Sequence, residues 1–141
     1  RLESASPSSG DSRDREEERQ ERHYMVRVGD EFDERRYRVQ RQLGKGTFGR
    51  VVEMIDTQEN RPVAVKVIRA IRKYTEEAEV EADIITALQR TLPCASGFPI
   101  ARLLRSFDDR GHYCLVLEPL GPSLYHRLRD TRRELERASR A

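Results

Sequence analysis

The sequence predicts one α+β domain, in which a five-stranded antiparallel sheet carries one main helix. Short segments rich in β-branched residues, some alternating apolar with polar positions, are typical of half-buried strands. A segment at residues 75–90 repeats its apolar residues with helical spacing instead. Three of the eight glycines lie within six residues, at positions 44, 46 and 49, between two predicted strands. With 141 residues, the chain has room for one domain at most, or for part of one.

Composition excludes several classes of protein. Hydrophobic residues make up 36% of the chain and charged residues 37%, which indicates a lean core under a heavily charged surface. The net charge of +2 is too small to predict a nucleic-acid partner. No run of 18 apolar residues occurs, so we predict no transmembrane helix and no membrane partner. Cys94 and Cys114 lack metal-binding or redox spacing, and we expect reduced, buried thiols in an intracellular protein.

The first 36 residues precede the predicted sheet. Residues 1–22 are rich in serine and in charges of both signs, which predicts a disordered tail. Such a tail could serve docking or carry phosphates, but solvation alone explains its composition, and we favour that interpretation. Residues 23–36 form an N-terminal extension, in which Met25 and Val28 are predicted to cover an edge of the sheet. Because the chain begins with Arg1 rather than Met, we expect a fragment of a longer product.

The predicted sheet begins at residues 37–43, where Tyr37, Val39 and Leu43 are expected to face the core or a ligand. The glycine-rich turn follows, and glycines allow a backbone to approach a bulky anion such as a phosphate. A dinucleotide-binding fold would require a helix directly after these glycines. Residues 50–56 are β-branched-rich and predict a strand, so we reject the dinucleotide alternative.

The third strand, residues 63–69, contains one of only three lysines in the chain. Alternation places Val63, Val65 and Val67 on one face and Ala64, Lys66 and Ile68 on the other. The simpler interpretation of Lys66 is a lysine at the sheet edge whose stem is buried and whose ammonium group reaches water. The functional interpretation is a point charge that binds a phosphate, and the glycines upstream favour it.

The predicted helix begins at Thr75 as N-cap, with Glu76 and Glu77 near its positive end. Its apolar stripe is formed by Ala78, Ile84, Ile85, Leu88 and Leu92. Glu81 lies within this stripe, where a carboxylate is unfavourable without a partner, and Lys66 is the candidate. Glu77 is the competing candidate, although its place in the first turn explains it without any partner. Glu76 and Glu79 are expected to face water.

The remaining segments complete the sheet and leave it. A loop at residues 92–99 leads to strands at 100–107 and 112–117, joined by a hairpin turn at 108–111. Residues 118–122 contain two prolines and a glycine, and predict a stiff extended connector. Ser123 opens a further helix. Residues 129–141 are mostly arginine and glutamate, and predict either a solvated helix end or sequence outside the core.

These motifs resemble the small lobe of a protein kinase, over residues 37–128. The glycine loop at 43–51 and the Val-Ala-Val-Lys motif at 63–66 are kinase-specific. Further matches at residues 73–74, 77–78, 111–112 and 120–125 are similar to the CDC-like, or LAMMER, dual-specificity kinases. The related dual-specificity tyrosine-regulated and homeodomain-interacting kinases stay open as alternatives, because the motif that names the LAMMER family would lie beyond Ala141.

The resemblance implies an ATP site, and every role in it is taken over from the family. The glycine loop covers the phosphates with Phe48 at its tip, Lys66 binds the α- and β-phosphates, and Glu81 fixes Lys66. Val51 and Ala64 enclose the adenine, Leu117 is the gatekeeper, and backbone groups of Glu118 and Leu120 meet the adenine edge. The complete implied set is Leu43, Gly44, Lys45, Gly46, Thr47, Phe48, Gly49, Val51, Ala64, Lys66, Leu117, Glu118 and Leu120.

The chain departs from the family pattern in one respect: it contains neither His-Arg-Asp nor Asp-Phe-Gly. Those motifs orient the substrate hydroxyl and hold Mg²⁺, so the magnesium ligands would lie outside this chain and the chain alone is expected to be nearly inert. The whole enzyme would transfer the ATP γ-phosphate to Ser and Thr and, in dual-specificity members, Tyr. The resemblance also implies Arg-Ser-rich splicing factors as substrates and a nuclear location.

Two rival functions remain. The first is a non-catalytic, kinase-derived binding module, suggested by the absent catalytic motifs. The second is an arginine-rich RNA-binding protein, but interleaved aromatic residues are lacking and acidic residues nearly cancel the charge, so we expect no direct nucleic-acid binding.

Overall fold

The computed structural model of the chain describes residues 22–91, 102–119 and 136–139. The elements are β1 (Glu31–Phe32), β2 (Tyr37–Lys45), β3 (Gly49–Asp56), β4 (Arg61–Ile68), α1 (Arg72–Thr91), β5 (Leu103–Asp109) and β6 (His112–Leu117). All strand pairs are antiparallel, in the order β1-β2-β3-β4-β6-β5. The predicted α+β class is confirmed, but the described residues form six strands rather than five, because β1 adds a short edge strand before β2. No helix in these ranges is long and apolar enough to cross a membrane.

The larger core covers the valine face of the sheet. Val63, Val65 and Val67 share this face, as the alternation predicted, and all three are fully buried. Each buried side chain of this size contributes about 1.5–3 kcal/mol, so this core is the main source of the sheet's stability. The cluster contains Tyr24, Phe32, Tyr37, Val39, Val52, Met54, Val63, Val65, Val67, Phe107, Cys114 and Val116. Cys114 is buried as predicted, and burial raises the pKa of its thiol.

Helix α1 covers the opposite face through a smaller core. Ala78 and Ala82 are its buried residues, and they pack with Ile68 and Leu115 of the sheet. Small side chains at this contact let the helix axis lie close to the strands. A close approach matters for the site, because it brings the next helical positions within reach of side chains on the sheet.

The helix differs from its predicted bounds and stripe. It begins at Arg72, and the Thr75 N–H donates to the Ile71 carbonyl at 3.1 Å, so Thr75 lies within the helix and does not cap it. Ile84 and Leu88, predicted to face the core, are 55% and 36% exposed. The two alanines pack against the sheet instead, and Ile85 is half-buried. Leu92 lies outside the described residues.

Residues 22–30, here called the N-terminal strap, lie against the sheet. Met25 and Val28 are exposed, so the prediction that they cover the sheet edge was wrong. Tyr24 is buried instead and packs edge-on against the ring of Phe32, 4.9 Å between centroids. Alternation explains why Met25 is exposed, since its neighbour Tyr24 points inward and successive side chains of an extended segment point to opposite sides. A turn in which the Asp30 N–H donates to the Arg27 carbonyl interrupts the alternation before Val28 can face inward.

Two tight turns fix the register of the strand pairs β5–β6 and β3–β4. Arg110 and Gly111 join β5 to β6 with φ of 51° and 80°, and a two-residue hairpin with positive φ at both positions matches the twist of its strands. The turn between β3 and β4 is anchored by Asp56, which accepts hydrogen bonds from the Gln58 and Glu59 amides and from Arg36. Burial opposes the charge of Asp56, but these hydrogen bonds outweigh it and lower the pKa of the carboxyl.

Candidate nucleotide-binding site

Three neighbouring strands place the predicted site residues on the helix-covered face. Val51 of β3 and Leu115 of β6 both lie directly opposite Lys66 of β4. Ala64, two residues before Lys66, lies opposite Leu117. Directly opposite residues of antiparallel strands project to the same face. The structure therefore brings together Val51, Ala64, Lys66 and Leu117 from three separate segments of the sequence.

The carboxylate that meets Lys66 is Glu81. Its two carboxylate oxygens lie 3.1 and 2.8 Å from the Lys66 ammonium nitrogen. Glu81 follows Ala78 by three positions and precedes Ala82, so the alanine contact points it toward the sheet. Glu77, the competing candidate, is exposed and lies in the second turn of α1 rather than the first. Glu76 is exposed as well, and pairs with Arg72 at 2.7 Å.

The Lys66–Glu81 pair is a poor explanation for stability. The side chains are 17% and 41% exposed, and an ion pair open to water contributes about 0–1 kcal/mol. The same geometry suits a different task. A lysine fixed at two of its three donors presents the third in a defined direction, as binding of an anion requires.

The glycine-rich loop turns back over this face between β2 and β3. Gly46 donates its N–H to the Gly49 carbonyl at 3.0 Å, which closes the turn. A Cβ at Gly49 would overlap the Val67 carbonyl oxygen in the neighbouring strand, so no other residue fits there without a shift. Phe48 lies at the tip, with its ring 4.4 Å from the Lys66 ammonium nitrogen. Lys45 and Thr47 are exposed, and Gly44 is half-buried.

The outer members of the predicted site are less enclosed. Leu43 is exposed, because register shifts in β2 between Val39 and Arg41 and between Gln42 and Gly44 interrupt its alternation. Glu118 is half-buried and donates its backbone N–H to the Arg102 carbonyl at 3.0 Å. Leu120 lies outside the described residues. The described residues contain no group of three His, Cys, Asp or Glu side chains that could hold a metal ion.

Arg69 was not anticipated as part of the site. The sequence prediction placed it at the end of the third strand and gave it no role in the site, yet it is only 5% exposed. Its backbone N–H donates to the Phe48 carbonyl at 2.8 Å, and its guanidinium donates to the Thr47 carbonyl at 3.2 Å. No local pattern separates this arginine from the other 23. The one available signal is its position, one residue past the buried Ile68.

The N-terminal strap also reaches this region. His23 Nδ1 lies 3.3 Å from the Arg50 guanidinium, and since arginine only donates, Nδ1 is the acceptor and the ring is neutral. Burial and the nearby charges of Arg50 and Arg69, with a smaller effect of His112, lower the pKa of His23 to about 4. The strap therefore contacts the strand that follows the glycine loop.

Comparison with known proteins agrees with this geometry. A model of the protein kinase domain matches residues 37–140. Serine/threonine-protein kinase AFC1 of Arabidopsis thaliana is 43% identical over 107 residues, which are 76% of this chain and 22% of that protein. The probable serine/threonine-protein kinase clkA of Dictyostelium discoideum is 42% identical over 112 residues, 78% of this chain and 12% of that protein. Dual specificity protein kinase CLK1 of Mus musculus is 39% identical over 110 residues, which are 77% of this chain and 22% of that protein.

The chain thus spans less than a quarter of the length of these relatives. The kinase-domain match, in contrast, extends over well more than half of the chain and includes the glycine loop, Lys66 and Glu81. The chain therefore belongs to the protein kinase family, and within it resembles the LAMMER-type CDC-like kinases.

Proposed function

We propose that this chain is the ATP-binding lobe of a LAMMER-type protein kinase. The observation that carries the proposal is the Lys66–Glu81 pair, held under a glycine-rich loop and beside the apolar row of Val51, Ala64 and Leu117. Protein kinases use ATP and Mg²⁺, and the small lobe contributes the lysine that pairs the α- and β-phosphates. In this proposal the apolar row receives the adenine, and Lys66 neutralises phosphate charge.

The proposed reaction is transfer of the ATP γ-phosphate to Ser and Thr hydroxyls of proteins, with Tyr as a further acceptor. This chain's residues would position the nucleotide, whereas the group that orients the substrate hydroxyl and the ligands of Mg²⁺ would come from a catalytic loop beyond it. The likeness to CDC-like kinases supports Arg-Ser-rich splicing factors as substrates and a nuclear location, and both are part of the proposal.

An exposed apolar surface on α1 supports the presence of a second lobe in the working enzyme. Val80, Ile84 and Leu88 recur every four residues and are 57%, 55% and 36% exposed. They form one stripe beside Glu81, on the part of the helix that the sheet leaves uncovered. An exposed apolar stripe in an otherwise highly charged chain is typical of a surface that another domain covers.

The decisive experiment measures phosphate transfer from ATP to an Arg-Ser repeat peptide by the whole natural protein. Lys66→Met should lower turnover by roughly a hundredfold or more, because positioning and charge neutralisation of the phosphates are most of the catalysis. Lys73→Met is the matched control, since Lys73 is an exposed lysine on α1, and its turnover should stay within about twofold.

Unchanged turnover in Lys66→Met would overturn the proposal. Tight ATP binding without any transfer by the whole natural protein would instead favour the non-catalytic binding module.

A further inference from the structure

The tip of the glycine-rich loop is fastened to the end of β4. Arg69 makes both contacts: its backbone N–H donates to the Phe48 carbonyl, and its guanidinium donates to the Thr47 carbonyl. A guanidinium that is almost fully buried is unfavourable unless hydrogen bonds compensate, and the loop carbonyl supplies one of them. The two contacts together are here called the loop latch.

The loop latch fixes the ring of Phe48 over Lys66. The ring packs on the helix-side core and lies under Gly46, where an added Cβ would come within 2.6 Å of a ring carbon. The Lys66 ammonium has three donors, and both Glu81 oxygens already accept hydrogen bonds from it. The ring covers the ammonium group at 4.4 Å, as a cation–π contact.

A phosphate bound to Lys66 and the Phe48 ring therefore compete for the same side of the ammonium group. The Gly46 N–H, which could otherwise bind a phosphate, is also engaged, because it donates to the Gly49 carbonyl. Nucleotide entry then requires the loop tip to rise and the ring to leave. Raising the tip separates Thr47 from the Arg69 guanidinium, so the latch opposes entry.

We propose that Arg69 is a positioning residue that holds the glycine-rich loop closed over Lys66 and so sets the affinity for ATP. The inference rests on the proposed nucleotide-binding function. Arg69 also lies 5.3 Å from the ring of Tyr74 in α1, so the latch connects the loop to the helix that carries Glu81. The apparent dissociation constant is the intrinsic one divided by the fraction of molecules with an open loop.

The test is calorimetric titration of the whole natural protein with ATP and Mg²⁺. Arg69→Met keeps the apolar stem but removes the guanidinium, and should tighten ATP binding by roughly three- to tenfold, since a charge-assisted hydrogen bond of the closed state is lost. Phe48→Ala removes the ring and should tighten binding to a similar extent. Arg72→Met is the matched control, because that arginine is 91% exposed and makes no latch contact; its affinity should not change.

The double variant separates the latch from a structural role. If Arg69 acts through the Phe48 ring, Arg69→Met should change the affinity by less than about twofold in the Phe48→Ala background. Equal effects in both backgrounds, or weaker binding by Arg69→Met, would overturn the proposal. If Arg69→Met does not fold, Arg69→Lys, which keeps the charge but not the planar fork, should tighten binding by a smaller factor.

The two proposals fail differently. If the wild-type protein binds ATP and Arg69→Met binds it with the same affinity, the latch is refuted and the nucleotide site is not. Absence of ATP binding in the wild type, in Phe48→Ala and in Arg69→Met refutes the nucleotide site, and the latch with it.

Discussion

At the scale of single residues, the position of Glu81 distinguishes it from the other glutamates of α1. Its carboxylate contacts Lys66 with both oxygens, whereas Glu77 one turn earlier is exposed. If the pair positions Lys66 for a phosphate, Glu81→Gln should lower turnover of the whole natural protein by roughly a hundredfold. Glu77→Gln removes the same charge from the same helix, and its turnover should stay within about twofold of the wild-type value. The reverse order in a steady-state kinase assay would assign the role to Glu77.

Gly49 is a residue whose constraint is purely steric. An alanine Cβ there would overlap the Val67 carbonyl of the adjacent strand, so Gly49→Ala should lower the free energy of unfolding by about 1–3 kcal/mol. Gly44 belongs to the same loop motif, but an alanine Cβ at that position would meet no atom within 4 Å. Gly44→Ala should therefore change the free energy of unfolding by less than about 0.5 kcal/mol. Urea unfolding of both variants makes the comparison, and equal losses would contradict it.

At the scale of elements, the strands were more predictable than the helix. Alternation in a strand has a period of two, and it assigned Val65 and Lys66 to opposite faces from the sequence alone. For the helix, the pattern showed which residues share a side but not how much of that side the sheet would reach. The bulky Ile84 therefore lies outside the contact, and Ala82, which the predicted stripe omitted, lies inside it.

The contact between Arg69 and the glycine-rich loop could not be predicted, because it joins residues that are far apart in the sequence. Arg69 is a buried residue because the glycine loop folds back onto the end of its strand. The residues next to Arg69 in the sequence do not predict this contact, since Thr47 and Phe48 are more than 20 positions earlier. The Lys66–Glu81 contact was accessible to prediction because a charge on an apolar helix face requires a partner.

The N-terminal strap gives the protein a pH-dependent element. The pKa of His23 is lowered to about 4 by burial and by Arg50, Arg69 and His112, so the unfolded chain binds the proton more readily than the folded one. This contribution is complete above about pH 6.5 and is lost as the pH falls from 6.5 toward 4. The free energy of unfolding should decrease by about 1–2 kcal/mol over this range, since water access to the half-buried ring reduces the effect.

His23→Asn isolates this contribution, because the amide oxygen can accept from Arg50 but does not titrate. The unfolding free energy of the wild type should fall by about 1–2 kcal/mol relative to that of the variant as the pH is lowered from 7 to 4. Chemical denaturation at pH 7, 5.5 and 4 measures it, and a constant difference would exclude His23 as the titrating group.

At the scale of the whole molecule, the two faces of the sheet are unequally covered. Among the residues that the structure describes, a core of twelve buried residues covers the valine face, whereas four cover the helix face and the helix leaves Val80, Ile84 and Leu88 exposed. The residues proposed to bind the nucleotide lie on the less covered face. We expect another part of the kinase to bury this surface in the whole protein. In the isolated chain, the exposed apolar surface is expected to promote self-association.

Ile84→Glu tests this asymmetry in the isolated 141-residue chain. Because Ile84 is mostly exposed, the free energy of unfolding should change by less than about 0.5 kcal/mol, while binding of a hydrophobic fluorescent dye and self-association should both decrease. Ala82→Glu is the matched control two positions away, where an uncompensated charge would be buried against the sheet and the loss should exceed about 3 kcal/mol. Similar destabilisation by both substitutions would mean that Ile84 is packed within the chain, and that the stripe is not a surface awaiting another domain.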